Sequence, residues 1–164
     1  MPGALVALAE RLQGACLQRE LTVSLAESCT GGLVAASITE VAGSSAYFLG
    51  GVVSYANTAK VALLGVPEGV LAAHGAVSAQ VAMPMAAGAK ARFGTDLAAS
   101  ITGIAGPDGG SAEKPVGLVY VALAAPDGPV DVRRLQLDGD RTAIREAAAR
   151  SALEWLLTSA EAAS

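Results

Sequence analysis

The first forty residues alternate between two patterns of hydrophobic and polar positions. Leucines recur at helical spacing from Leu5 to Leu12 with charged and amide side chains between them, which predicts an amphipathic helix that covers a sheet. The stretch LTVSLAE, residues 21–27, is typical of a short strand. A glycine pair then leads into LVAASITEVAG, which predicts a second helix closed by Gly43.

The middle of the chain continues this alternation. AYFLGGVVSYA is rich in β-forming side chains and carries a bulge signal at its glycine pair. NTAKVALLG predicts a short helix capped by Asn57 and stopped by Gly65, and VPEGVLAAHGAVS predicts a turn and another short helix. Ser78 is a suitable N-cap for a helix that runs to about Phe93, within which Pro84 predicts a kink or a later start.

The last third of the chain predicts three strands and a long helix. TDLAASITG and VGLVYVALAA are strand-like and flank a Gly/Pro loop, PDGPV is a hairpin turn, and DVRRLQLD is a third strand. Asp140 is expected to cap a helix with one apolar face, formed by Ile144, Ala148, Ala152 and Trp155. Together these elements predict one α/β domain over residues 1–164, a three-layer α/β/α arrangement with a mixed, mostly parallel sheet.

Composition excludes several classes of function. The formal net charge is −4 with no run of Lys or Arg, so we expect no nucleic-acid partner. No apolar stretch approaches the ~18 to 20 residues of a membrane span, and the N-terminus has no basic region typical of a signal peptide. We therefore expect a cytoplasmic protein with no membrane partner. One histidine and two separated cysteines cannot build a usual zinc site, so we expect no metal. No dinucleotide-binding or P-loop motif occurs, and we expect no organic cofactor either.

Two turns at the ends of predicted strands carry the candidate chemistry. Ligands of open α/β sheets collect at the carboxyl ends of strands. In LAESCTGGL, the side chains of Ser28, Cys29 and Thr30 precede a predicted helix whose free N–H groups could hold an anion. In SITGIAGPDGG, four glycines allow the backbone to approach a ligand closely, although the spacing fits neither a dinucleotide-binding loop nor a P-loop.

Each of these side chains also has a structural interpretation. Ser28 and Thr30 suit helix capping, and Cys29 taken alone is more often a small buried hydrophobe than a nucleophile. His74, the one histidine, has no motif that links it to this turn. A nucleophile here would therefore need another base.

Lys60 is a candidate for that base. With Asn57 as the N-cap, Lys60 would lie at the third helical position, inside the positive end of the helix dipole. There, and partly desolvated, its pKa would fall below ~10.4, as a general base near neutral pH requires. Tyr55 at the strand end is close enough in sequence to orient it. The alternative is an exposed lysine on a short helix.

Arg141 and Arg145 lie one turn apart in the first turns of the last predicted helix, where cations oppose the helix dipole. Either an anionic ligand lies between them, or they pair with the neighbouring carboxylates of Asp138, Asp140 and Glu146. The sequence of these residues alone favours neither interpretation over the other.

These motifs taken together resemble the C-terminal domain of the CinA (competence/damage-inducible protein) family, also known as PncC. The resemblance runs from about Leu5 to Leu157 and rests on AESCTGGL, GSSAYFLGGVVSYANTAK, LLGV, GAVS, ITGIAGPDGGSAEKPVG and GDRTAIR. It implies hydrolysis of the carboxamide of nicotinamide mononucleotide to nicotinate mononucleotide and ammonia, in pyridine-nucleotide recycling. It also suggests a homodimer. Many members carry a further N-terminal domain that resembles molybdopterin-binding proteins, which has no counterpart in this sequence.

The resemblance also assigns roles to residues. The family's catalytic serine, tyrosine and lysine fall on Ser28, Tyr55 and Lys60. Ser28 would attack the carboxamide carbon while Lys60, oriented by Tyr55, accepts its proton and later passes it to the departing ammonia. Around them we expect substrate contacts from three segments: Glu27, Cys29, Thr30, Gly31 and Gly32; Thr102, Gly103, Ala105 and Gly106; Arg141 and Arg145.

Backbone N–H groups from Cys29 to Gly32 are the expected oxyanion hole, and the arginines or the glycine loop would hold the phosphate. The alternative function is not enzymatic: a nucleotide-binding or regulatory module that keeps the pocket but does not hydrolyse the ligand.

Overall fold

The structure, a computed structural model, describes residues 3–163 and contains five strands and six α-helices in that range. In chain order these are α1 (Gly3–Arg19), β1 (Val23–Glu27), α2 (Leu33–Thr39), β2 (Phe48–Val53), α3 (Asn57–Leu64), α4 (Glu68–His74), α5 (Ala79–Phe93), β3 (Leu97–Gly103), β4 (Leu118–Ala124), β5 (Asp131–Gln136) and α6 (Arg141–Ala162). A short 3₁₀ turn, Ser44–Ala46, precedes β2.

The strands form one mixed sheet in the order β2-β1-β3-β4-β5. β1 is parallel to both of its neighbours, whereas β4 is antiparallel to β3 and β5, so four of the five strands point the same way. The carboxyl ends of β2, β1 and β3 therefore lie side by side at one edge, where three connecting loops meet.

Helices cover both faces of the sheet, which confirms the predicted α/β/α layers. One face packs against α1, α2 and α6 through a core that includes Leu12, Leu25 and Leu153. The other face packs against α5, with α3 and α4 outside it, through a smaller core centred on Met85 and alanines. Burial of these apolar side chains is the main stabilisation of the sheet.

Close packing between α3 and α5 fixes the position of α3. At Gly88, an added Cβ would lie 2.0 Å from the carbonyl oxygen of Leu64. Glycine is therefore required for α3 to lie this close to α5, and α3 is the helix that carries Lys60.

Several local predictions are confirmed. The side chains of Ser78 and Asp140 cap α5 and α6 by accepting hydrogen bonds from backbone N–H groups. Gly65 ends α3 in the left-handed conformation. The bulge signal in β2 is also confirmed, because Leu49 is left out of the pairing between β1 and β2.

Three predicted helix boundaries are wrong. α2 ends at Thr39, and Gly43 instead begins the 3₁₀ turn with a φ of 90°. Asn57 is the first residue of α3, whose N-cap is Ala56 in an extended conformation, so Lys60 lies at the fourth helical position. α5 begins at Ala79 and runs through Pro84, so the later start is wrong, whereas the alternative of a kink stays a prediction. The carbonyl that loses its donor belongs to the exposed Gln80.

Within residues 3–163, no helix is both long and apolar enough to cross a membrane.

Candidate active site

Ser28 lies directly after β1, in the turn that leads into α2. Its backbone N–H donates to the carbonyl oxygen of Ile101 in β3 at 2.9 Å, which continues the pairing of the two strands by one residue. The turn is then closed by Gly31 and Gly32, both in the left-handed region at φ 58° and 101°. The serine is thus held at the carboxyl edge of the sheet, where it is 8% exposed.

Lys60 extends from the first turn of α3 to Ser28. Its Nζ lies 3.1 Å from Oγ of Ser28, and it donates to the carbonyl oxygens of Ser54 at 2.7 Å and Tyr55 at 3.3 Å. The side chain is 1% exposed, which excludes the alternative of an exposed lysine on a short helix. The two side chains that the sequence places 32 residues apart therefore form a buried pair.

Burial lowers the pKa of Lys60 below its ordinary value of 10.5, because desolvation disfavours the ammonium form. The neighbouring thiol of Cys29 acts in the opposite direction and more weakly. The expected direction of the shift is thus found, and its main cause is desolvation.

The serine and the lysine line a cleft of about 220 Å³, which we call the Ser28 cleft. Its lining residues are Ser28, Cys29, Tyr55, Lys60, Ala76, Val77, Thr102, Gly103, Ala105 and Arg141. Eight of these ten were expected from the sequence. Ala76 and Val77 were not expected. They belong to the GAVS motif, and that motif was the one sign in the sequence that this segment lies near the site.

A larger groove of about 500 Å³ lies at the opposite end of the sheet, against Lys90 and Thr95. No serine, cysteine or histidine lines it. The Ser28 cleft is therefore the better candidate for chemistry, despite its smaller volume.

Tyr55 contributes to the cleft in a different way from the one expected. Its side chain is 61% exposed, and its hydroxyl accepts a hydrogen bond at 3.1 Å from Nη2 of Arg141. It is the backbone carbonyl of Tyr55, together with that of Ser54, that orients Lys60. The phenol instead lies beside a cation at the rim.

Cys29 lines the cleft as a protonated thiol. Burial raises its pKa from 9.0 to about 11, so little thiolate exists near neutral pH. Because the reactive form of cysteine is the thiolate, this environment favours Ser28 over its neighbour as the nucleophile.

Glu27 was expected to contact a ligand, but its carboxylate is occupied by the protein. One oxygen accepts from the N–H of Val34 and the other from the N–H of Ala35, both at 3.0 Å. Glu27 thereby caps α2, and the N-terminus of this helix holds an internal anion instead of a substrate phosphate.

The two arginines of α6 have separate positions. Arg141 lines the cleft, where its Nη1 also donates to the carbonyl oxygen of Gly106 at 2.8 Å. Arg145 lies behind the serine turn and donates to the carbonyl oxygens of Cys29 at 3.1 Å and Thr30 at 2.8 Å. Their hydrogen bonds thus go to backbone oxygens and Tyr55, not to the neighbouring carboxylates.

The remaining expected residues form the walls or their support. Thr102 is buried at the end of β3 and donates to the carbonyl oxygen of Ala76 at 2.9 Å. Gly103 packs against β4, where an added Cβ would lie 2.6 Å from a methyl group of Val119. Gly106, Gly31, Gly32 and Thr30 are close to the cleft in sequence but do not line it. Within residues 3–163, no group of three or more potential ligands among His, Cys, Asp and Glu is arranged to hold a metal ion.

The fold and this site define an α/β/α domain with a buried serine–lysine pair at the carboxyl edge of its sheet. The model of the CinA C-terminal domain matches residues 5–160. The chain belongs to the CinA family.

Relatives and solved structures agree with this assignment. The chain is 58% identical to a CinA-like protein of Citrifermentans bemidjiense over 87% of its length, and 59% identical to one of Geobacter sulfurreducens over 85%. It spans about a third of the length of these relatives, 34% and 33%.

Among solved structures, competence/damage inducible protein CihA from Agrobacterium tumefaciens superposes with a TM-score of 0.93 at 49% identity, covering 96% of both chains. Competence damage-inducible protein A (ComA) from Klebsiella pneumoniae gives 0.90 at 34% identity, covering 94% of this chain and 95% of the other.

Proposed function

We propose that this domain hydrolyses the carboxamide of nicotinamide mononucleotide to nicotinate mononucleotide and ammonia. Ser28 is the nucleophile and Lys60 is its base. The observation that carries the proposal is the 3.1 Å contact between Nζ of Lys60 and Oγ of Ser28, inside a cleft that no histidine lines. The substrate itself is chosen from the resemblance of the motifs.

The contacts of Lys60 suit a neutral amine. Such an amine has two N–H bonds and one lone pair. In this neutral form the carbonyl oxygens of Ser54 and Tyr55 accept its two N–H groups, and the lone pair accepts the hydroxyl hydrogen of Ser28, to which the ammonium form would donate. The lowered pKa of Lys60 increases the fraction of this neutral form near pH 7.

The reaction then follows in two stages. Oγ of Ser28 attacks the carboxamide carbon while its proton moves to Nζ of Lys60, giving a tetrahedral oxyanion and an ammonium group. Collapse of the intermediate breaks the C–N bond, and the proton on Lys60 passes to the departing nitrogen, which leaves as ammonia. Water, activated by the same lysine, then hydrolyses the ester to release the carboxylate and restore Ser28.

Backbone donors are available for the oxyanion. Cys29 and Ala105 line the cleft, and within residues 3–163 their backbone N–H groups donate no hydrogen bond to another residue, although that of Cys29 also interacts with its own sulfur. Each such donor typically contributes ~3 kcal/mol to the transition state. Of the expected donors from residues 29–32, the N–H of Gly31 is instead used by the carbonyl oxygen of Ser28.

The decisive experiment measures ammonia release from nicotinamide mononucleotide by wild-type protein and by Ser28→Ala, Lys60→Ala and Cys29→Ala. We expect the first two variants to lose roughly 10³-fold or more in kcat, to a similar level, because the pair acts as a unit. Cys29→Ala is the matched control from the same turn and should retain a substantial fraction of the activity.

An active Ser28→Ala protein beside an inactive, folded Cys29→Ala protein would refute the assignment of the nucleophile. Absence of ammonia release by a wild-type protein that still binds the nucleotide would instead indicate a binding or regulatory module.

A further inference from the structure

The turn between α4 and α5, residues 75–78, forms one wall of the Ser28 cleft. Ala76 and Val77 line the cleft. The turn is held from the sheet by the hydroxyl of Thr102, which donates to the carbonyl oxygen of Ala76 at 2.9 Å. Inside the turn, the hydroxyl of Ser78 donates to the carbonyl oxygen of Gly75 at 2.8 Å.

A second tether reaches this turn from outside the sheet. Nζ of Lys114 donates to the carbonyl oxygen of His74, the last residue of α4. It also lies against Gly75, where an added Cβ would be 3.1 Å from Nζ. An ammonium group at a helix C-terminus satisfies a free carbonyl and interacts favourably with the helix dipole, so this contact holds the end of α4 in place.

Lys114 belongs to an ordered loop, residues 104–117, that connects β3 to β4. The loop is closed by hydrogen bonds from the N–H of Gly117 to the carbonyl oxygen of Ile104, and from the N–H of Ser111 to that of Lys114, both at 2.8 Å. At its other end, Gly106 is held by Arg141. Two cations therefore fix the loop to both sides of the cleft, Arg141 to α6 and Lys114 to α4.

We propose that Lys114 is a positioning residue, which sets the distance of the 75–78 wall from Ser28 and Lys60. It touches neither of the reacting side chains, whose hydrogen bonds are all made elsewhere. Loss of Lys114 should therefore weaken substrate binding more than the chemical step. This kinetic consequence rests on the proposed deamidase function, whereas the tether itself does not.

The experiment compares Lys114→Met with Lys90→Met. Lys90 is a matched control, because its Nζ also donates to a loop carbonyl oxygen, that of Ala125 at 2.7 Å. This contact lies at the opposite end of the sheet from the Ser28 cleft. With nicotinamide mononucleotide as the probe, we expect Lys114→Met to raise KM on the order of 10-fold, as for loss of a charge-assisted hydrogen bond, with a smaller change in kcat. Lys90→Met should leave KM unchanged, and Lys114→Arg, which keeps a charged donor, should restore much of the lost binding.

A second measurement does not depend on turnover. Amide hydrogen exchange of Gly75, whose N–H donates to the carbonyl oxygen of Leu71 at 2.8 Å, reports on the end of α4. Exchange at residues 74–78 should be faster in Lys114→Met and unchanged in Lys90→Met. If the wild-type protein releases no ammonia, the proposed function fails and exchange alone decides the role of Lys114. Unchanged exchange at residues 74–78, or an unchanged KM in an active Lys114→Met protein, would overturn the inference.

Discussion

At the scale of single residues, Lys60 determines what the site can do. Its Nζ is buried and lies within hydrogen-bond distance of oxygen atoms of Ser28, Ser54 and Tyr55, without a carboxylate partner. A lysine in such surroundings gives up its proton more easily than one in water. The chemistry of the cleft should therefore depend on pH through this one side chain.

We expect kcat/KM to rise with pH through the lowered pKa of Lys60, because the neutral amine is the base. The free energy of unfolding should rise over the same range, since the unfolded chain keeps the lysine proton up to about pH 10.5 while the folded chain has released it. Above pH 9 the buried Cys29 opposes this, because its raised pKa of about 11 favours the unfolded state as the pH increases.

A pH–rate profile from about pH 6 upward checks the first expectation, and urea unfolding at several pH values checks the second. A kcat/KM that falls as the pH increases from neutrality would show that a protonated Lys60 is required.

Arg141 carries the second prediction at this scale. It is the arginine that lines the cleft, so Arg141→Ala should raise KM for nicotinamide mononucleotide about 10-fold or more, through loss of a charge-assisted contact with the phosphate. Nicotinamide riboside, which lacks the phosphate, should be affected much less. Equal losses for the two substrates would show that Arg141 serves only to hold Gly106 and Tyr55.

At the scale of elements, hydrophobic periodicity was sufficient to locate the strands and helices but not all of their ends. The local caps at Ser78 and Asp140 could be predicted because donor and acceptor are three residues apart. The N-terminus of α2 is capped by Glu27 from the preceding strand, across seven and eight residues. Such a cap depends on how the turn folds, and no local rule finds it.

The contact between α3 and α5 gives a prediction for an element as a whole. Gly88→Ala should destabilise the protein by about 1–3 kcal/mol, because the new methyl group overlaps the backbone of α3 at Leu64. It should also lower activity, since Lys60 moves with α3. Gly14→Ala is the control, because no atom lies within 4 Å of the added Cβ, and helix propensity predicts a gain of about 0.5–1 kcal/mol.

Urea unfolding and ammonia release, measured on the two glycine variants, test this. A Gly88→Ala protein as stable and as active as the wild type would show that α3 can move away from α5 without disturbing the pair of Ser28 and Lys60.

At the scale of the whole molecule, the parallel strands bring distant segments to one edge of the sheet. The sequence predicted that the turns after β1 and β3 would meet there, because parallel strands end on the same side. It could not separate the expected residues that line the cleft from those that only support it. Arg141 and Arg145 have the same sequence pattern, yet one faces the cleft and the other binds backbone more than 100 residues away, at Cys29 and Thr30.

The composition of the whole chain carries the last prediction. With one histidine and two separated cysteines, we expect the deamidase reaction to be independent of divalent metal. Dialysis against EDTA should leave the rate of ammonia release unchanged. A loss of rate that added Mg²⁺ or Zn²⁺ restores would require a different mechanism from the one proposed for Ser28.

The backbone of Ser28, the proposed nucleophile, also makes the last hydrogen bond between β1 and β3. Ser28 donates to Ile101, and Ser54, whose carbonyl orients Lys60, donates to Glu27 at 2.8 Å. Ser28 and the carbonyl group that orients Lys60 are thus held by the hydrogen bonds that join β2, β1 and β3, while α3, which carries Lys60, is held by its packing on α5. Heating should therefore separate Ser28 from Lys60 only when the sheet itself unfolds, which a comparison of pair-dependent activity with the unfolding transition would check.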